Sequence, residues 1–171
     1  MKQRRYPDGS EKLEDGITIY DRSFLDNCHP KITKIFELWL SKTSDGHLPS
    51  RKEFDPLEMV DLLPYIFMVD KNSPTKEFRY RLIGTEEVLF RGNDPTGKLV
   101  REACAAENVD DVLEKYEYLF REKKPIYNLC RFDGRRHIVE DQAVFLPLAT
   151  DGSTVDMVLG LGIRIEAGQP T

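Results

Sequence analysis

The chain has 171 residues, 40% of them apolar and 32% charged, with a formal net charge of -5. That length suits one domain with some terminal material, and the acidic balance argues against a non-specific nucleic-acid binder. No apolar run approaches the ~20 residues that a membrane helix needs, so no membrane is expected as a partner.

The three cysteines, Cys28, Cys104 and Cys130, are widely spaced, and no CxxC occurs. A disulfide framework and a structural zinc site are therefore both disfavoured, and a reducing cytoplasm fits best. The opening MKQRRYPDGSEKLEDG has basic residues but no apolar stretch behind them, so it does not read as a secretory signal. Residues 1–28 read as a polar arm, ordered only if it docks on something.

The first periodic segment follows Pro30. Ile32, Ile35, Phe36, Trp39 and Leu40 fall on one helix face, and that stripe needs either the core or a second subunit to cover it. Pro49, Pro56 and Pro64 then forbid a long helix. Asp55 is placed to cap a short helical segment with Pro56 at its first position. Residues 65–70 read as a strand buried on both faces. A turn at 71–74 leads to a second strand, Phe78–Ile83, ended by Gly84-Thr85. Residues 85–90 form a turn or two of helix, and RGNDPTGK is an irregular loop.

Asn108 is a natural N-cap, with Asp110 and Asp111 in the first turn of a helix that Pro125 stops. Its stripe is Val109, Val112, Leu113, Tyr116, Leu119 and Phe120. Three strands complete the chain, at 126–132, 137–148 and 157–166, the last with strict alternation. Two strands, then helices, then three antiparallel strands predict an α+β domain over 29–166, with one sheet and helices on one face, followed by a short tail at 167–171.

Catalytic and metal motifs are missing from the sequence. His29, His47 and His137 lie in or beside polar loops without metal-ligand spacing. There is no GxSxG, and Leu99 stands after Lys98 where a phosphate-binding GxxxxGK loop needs Ser or Thr. The glycines of GNDPTGK read instead as positions of positive φ in a tight turn.

Several motifs together resemble a known family. They are the tryptophan helix around Leu38-Trp39-Leu40, the stretch LPSRKEFDP, the Arg-aromatic-Arg strand FRYRLIGT and the loop GNDPTGK. The chain resembles, over roughly residues 31–165, the short bacterial PAS-fold proteins that occur as stand-alone domains. Pro95 and the extra Arg91 ahead of Gly92 depart from the family pattern. The resemblance implies a PAS-like five-stranded antiparallel sheet, helices enclosing a core that can hold a small ligand, and an N-terminal helix that often pairs subunits. It also implies a signalling role. A chain of 171 residues has no room for a kinase or cyclase beside it, so a regulatory protein partner is expected.

NLCRF resembles the cysteine motif of flavin-binding photoreceptor domains, but Leu129 separates Asn128 from Cys130, and the segment follows the long helix instead of preceding it. Flavin is therefore disfavoured, and so is haem, which needs an axial ligand. The cofactor stays unknown.

On a strand, Phe78, Tyr80 and Leu82 share one face, with Arg79 and Arg81 on the other. The residues offered to a ligand are Tyr80, Arg81, Phe67, Tyr116 and Cys130; those offered to a dimer or partner interface are Trp39, Phe36 and Arg79. Homodimerisation is expected because one face of the sheet otherwise stays bare. The leading reading is a cytoplasmic sensory module. Its alternatives are a ligand-free adaptor with a core filled by side chains, and a small enzyme with a conical α+β cavity, for which Asp141 and Tyr116 are the only candidate residues.

Overall fold

The computed structural model describes residues 11–12, 16–71, 74–106, 108–133 and 138–166. The strands are β1 (Glu11–Lys12), β2 (Ile17–Ile19), β3 (Ile66–Lys71), β4 (Phe78–Ile83), β5 (Ile126–Asp133), β6 (Ile138–Leu148) and β7 (Met157–Glu166). The helices are α1 (Pro30–Ser41), α2 (Thr85–Arg91), α3 (Val100–Ala103) and α4 (Val109–Glu122), with 3-10 turns at 22–26, 51–53, 56–59 and 63–65. His137 and parts of the predicted turns at 71–74 and 133–134 lie outside the described residues.

All strand pairs are antiparallel, and the five long strands run in the order β5-β6-β7-β3-β4. The last strand of the chain thus lies in the middle of the sheet. The short β1 and β2 both add to the outer edge of β5, so the described part of the predicted arm docks. Phe24 in the 22–26 turn follows it into the core, stacked on Tyr127 at 4.9 Å.

Strand alternation divides the apolar residues into two cores. Ile66 and Met68 of β3, Leu159, Leu161 and Ile163 of β7, and Val144, Leu146 and Leu148 of β6 point to α1. Phe67, Val69, Phe78, Tyr80, Ile126 and Val158 point the opposite way, to α3 and α4. The expectation of helices on one face is thereby extended: α1 covers the face expected to be bare. That removes the argument for a second subunit over it.

Phe36 and Trp39, expected at a subunit contact, are buried in the chain's own core. The reason is that the α1 stripe finds β6 and β7. The Trp39 indole N–H donates to the Pro147 carbonyl at 2.9 Å. Pro147 sits where β6 has run past β5, whose pairing ends at Phe145, so its missing N–H costs the sheet nothing there.

The first turn of α1 is capped by His29, whose Nδ1 accepts from the Lys31 N–H at 3.1 Å. Burial, helped by the Lys31 charge, holds this imidazole below its ordinary pKa and so favours the neutral acceptor form. The backbone N–H of His29 donates to the Gln142 side chain at 2.7 Å, which fixes the helix start to β6. Asp55 caps the 56–59 turn and Asn108 caps α4, both as the sequence predicts. Gly84 holds the cap position of α2, which starts at Thr85. A Cβ at Gly84 would strike the Pro64 carbonyl, so a glycine is what lets α2 start this close to the 63–65 turn.

Candidate functional site

The sheet face opposite α1 is only partly filled. Between it and α2 and α4 lies a cavity of about 850 Å³. Its apolar wall includes Phe67, Tyr80, Tyr116 and Phe145, the rings of Phe67 and Phe145 meeting at 5.7 Å. Glycine shapes the floor. A Cβ at Gly160 would strike the Phe67 ring, and one at Gly162 would lie 2.7 Å from Glu87 Oε1. Both glycines lie on the cavity side of β7, where the alternation also points Arg164.

Four charged side chains gather at one end of this space. Glu87 and Arg91 stand one turn apart on α2 and so project from one side of it. Glu87 is 1% exposed, and its carboxylate bridges two guanidinium groups. Arg164 Nη1 donates to Oε1 at 2.8 Å, and Arg91 Nη2 donates to Oε2 at 3.4 Å. Arg91 Nη1 reaches the Tyr80 hydroxyl at 3.4 Å. Arg164 lies over the Phe90 ring with 3.5 Å to the centroid. Asp141, on β6, completes the group, with Oδ1 3.5 Å from Arg164 Nε, an ion pair not aligned as a hydrogen bond.

Three buried polar atoms at this end have no hydrogen-bond partner among the described residues: Arg91 Nε, Arg164 Nε and Asp141 Oδ1. Burial raises the Asp141 carboxyl above its ordinary range, and Glu87 adds to the rise against the pull of Arg164. Burial also pushes the Tyr80 and Tyr116 phenols up, so both are neutral hydroxyls.

The loop after α2 holds Tyr80 in place. Gly92 and Gly97 have φ of 73° and 86°, the positive values their sequence suggests. The Asp94 carboxylate takes the Thr96 N–H and hydroxyl, which tightens the turn. Gly97 N–H then donates to the Tyr80 carbonyl at 2.7 Å, and Tyr80 N–H donates to the Lys98 carbonyl at 3.0 Å.

Of the residues offered to a ligand, Phe67, Tyr80, Tyr116 and Cys130 line the cavity. Arg81 does not. It points away from the cavity and pairs with Asp70 at 3.1 Å, its side chain 53% exposed. The pairing register shifts at Met68/Val69, so Leu82 turns to the α1 core and Ile83 to the cavity side, against the simple alternation expected. Arg79 bridges to Leu99 at the edge of β4. Asp141 and Tyr116, named for an enzymatic reading, are both on the cavity wall.

Glu87, Arg91 and Arg164 were not singled out from the sequence. Two signals pointed to them: the four-residue spacing of Glu87 and Arg91, and the placement of Arg164 in alternation with Gly160 and Gly162. Neither signal says which way the side chains face.

The form is an antiparallel sheet with β7 in its centre, roofed by short helices and one long helix over a cavity. The chain belongs to the PAS domain family, whose model matches residues 27–163. Among solved structures it is similar to an RNA-binding light-oxygen-voltage receptor, with a TM-score of 0.50 and 11% identity. That match covers 91% of this chain and 40% of the receptor chain, and at such identity it speaks for the fold alone. Among curated proteins none matches the chain. No helix among the described residues is long and apolar enough to cross a membrane.

Proposed function

We propose that this chain is a non-enzymatic sensory domain of the bacterial cytoplasm that binds a small molecule in the cavity and relays its presence to a regulatory protein. The observation that carries the reading is the cavity itself: about 850 Å³ of space lined by Arg91, Arg164 and Asp141, each with a buried polar atom that makes no hydrogen bond among the described residues. A ligand-free adaptor with a core filled by side chains has no use for that space.

A ligand shifts such a domain only through unequal affinity for two of its states. The groups in contact with the cavity belong to α2, α4, the 104–106 segment before α4 and the sheet with the residues flanking β2, and α1 rests on the reverse of the same sheet. A change in the packing of α2 or α4 therefore reaches α1 through β6 and β7. Its apolar stripe is buried, so the side bearing Lys34 and Glu37 is the part open to a partner, a second copy of the chain among them.

Thermal-shift screening against a metabolite library, with native mass spectrometry of the freshly purified protein, tests this reading. At least one small molecule is expected to raise the melting temperature and to slow hydrogen exchange in α2 and α4. A clean apo mass together with no shift across the library would sink the reading.

A further inference from the structure

We propose that the charged end of the cavity is a binding site for an organic monocarboxylate, gripped by Arg91 and Arg164, with the body of the ligand lying against Phe67, Tyr116 and Phe145. This rests on the reading of the cavity as a ligand site and names the chemistry of its occupant.

Geometry comes first. The two guanidinium groups are brought together by one carboxylate, Glu87, which takes Arg164 Nη1 on one oxygen and Arg91 Nη2 on the other. Each arginine keeps its Nε–H buried and without a hydrogen-bond partner among the described residues, that of Arg164 facing Asp141 Oδ1 at 3.5 Å. A guanidinium offers donors on more than one edge, and the edge that carries Nε suits a carboxylate. Both groups are also pre-set in plane, Arg164 over Phe90 at 3.5 Å and Arg91 over Tyr80 at 5.1 Å. Two guanidinium groups held in place beside one cavity are the complement of an acceptor that carries charge.

Charge selects the class. Glu87 and Asp141 oppose Arg91 and Arg164, so the four formally cancel. Asp141 keeps Oδ1 without a hydrogen-bond partner, and burial already favours its neutral form. Arg164 faces it from β7, Glu87 and Arg91 from α2, and Cys130 from β5, with Sγ 3.9 Å from Oδ2. With a proton on Asp141 the cluster carries one surplus positive charge, which one carboxylate neutralises. A phosphate dianion would leave net negative charge in a largely desolvated site, a costly arrangement. The rings of Phe67, Tyr116 and Phe145 offer the body of the ligand surfaces to stack on, and Asp111, Lys115 and Asn128 on the same wall offer it polar contacts.

The test is calorimetric titration of the full chain with benzoate and phenylacetate, each against its neutral amide, and with inorganic phosphate. Displacement of Nile red reports separately whether the cavity takes apolar ligands at all. The carboxylates are expected to bind roughly tenfold or more tightly than the amides, the size of one charge-assisted hydrogen bond. Arg91→Gln should lose about that factor, while Asp141→Asn should tighten the carboxylates. A purely structural role for the cluster would weaken binding in both variants, and circular dichroism checks that both fold. Equal binding of acids and amides overturns the monocarboxylate assignment and leaves the sensory reading standing. Phosphate binding as tight as benzoate overturns the assignment of class. If Nile red enters but neither acid displaces it, the assignment fails, and if Nile red does not enter, the sensory reading fails with it.

Discussion

Trp39 shows how a residue that looks like an interface anchor can be a core fastener. Its ring lies in the core beneath the sheet, packed against Phe36 at 5.9 Å, and its N–H serves the Pro147 carbonyl, which no neighbouring strand takes. Trp39→Phe keeps most of the apolar area and removes the donor, leaving that carbonyl buried. The expected cost is about 1–3 kcal/mol, the penalty for a buried polar group that loses its partner. Urea denaturation reads it as a lower midpoint at unchanged slope. A midpoint equal to that of the parent would mean that the Pro147 carbonyl is satisfied without Trp39. Glu87 stands at the opposite extreme, a carboxylate buried to 1% exposure because two arginines hold it. Glu87→Gln leaves both guanidinium groups without their shared counter-charge, and the expected loss is about 3 kcal/mol, typical of breaking a buried ion pair from one side. A double-mutant cycle with Arg164→Gln separates the pair from its surroundings. If the two losses simply add, the bridge contributes nothing of its own.

At the scale of elements, β7 explains why the site exists. Its alternation sends Leu159, Leu161 and Ile163 to α1 and turns Val158, Gly160, Gly162 and Arg164 to the opposite face, where Gly162 and Arg164 line the cavity. Gly160→Ala is expected to push Phe67 off the floor and to destabilise by about 1–3 kcal/mol, as overpacking does. Retention of full stability would show that the Phe67 ring yields freely. The strand pattern was legible in the sequence because period-2 alternation is a one-dimensional signal, and the caps at Asp55 and Asn108 were legible because their donors lie two residues away. The bulge in β4 was not, since it depends on how β3 pairs with it, and so the side taken by Leu82 was misjudged. The expected sheet face without cover was misjudged for a like reason: the α1 stripe announced that it needed a partner without saying which. Among the site residues, the aromatics were legible through their places on strands and on the α4 stripe. The Glu87–Arg91–Arg164–Asp141 cluster joins α2 to the β6–β7 pair, far along the chain, and only the fold brings those together.

For the molecule as a whole, the carboxylates whose ionisation the fold shifts fall into two groups that pull the pH dependence of stability in opposite directions. Asp21, Glu53, Asp61, Asp94 and Asp151 are held below their ordinary values, chiefly by hydrogen bonds they accept, so their contribution is present at neutral pH and lost in acid. Asp141 and Asp70 are held above theirs, with burial the largest cause in each. For these two the folded chain binds the proton more tightly than the unfolded chain. Their contribution is therefore complete below the ordinary aspartate range and fades as pH rises through the raised folded value. Asp141→Asn removes one of the two without touching the surface carboxylates. The difference in stability between variant and parent should accordingly shift in favour of the variant as pH is raised from the acid side to neutrality. Urea unfolding of both proteins across that range measures the difference directly, and curves that stay parallel would mean that Asp141 ionises in the fold as readily as in the unfolded chain. The same pair of proteins ties stability to the cavity. An anion seated on Arg91 and Arg164 adds negative charge beside Asp141 and so raises its hold on a proton further. Benzoate binding to the parent should then take up protons and weaken as pH rises, while binding to Asp141→Asn should lose most of that dependence.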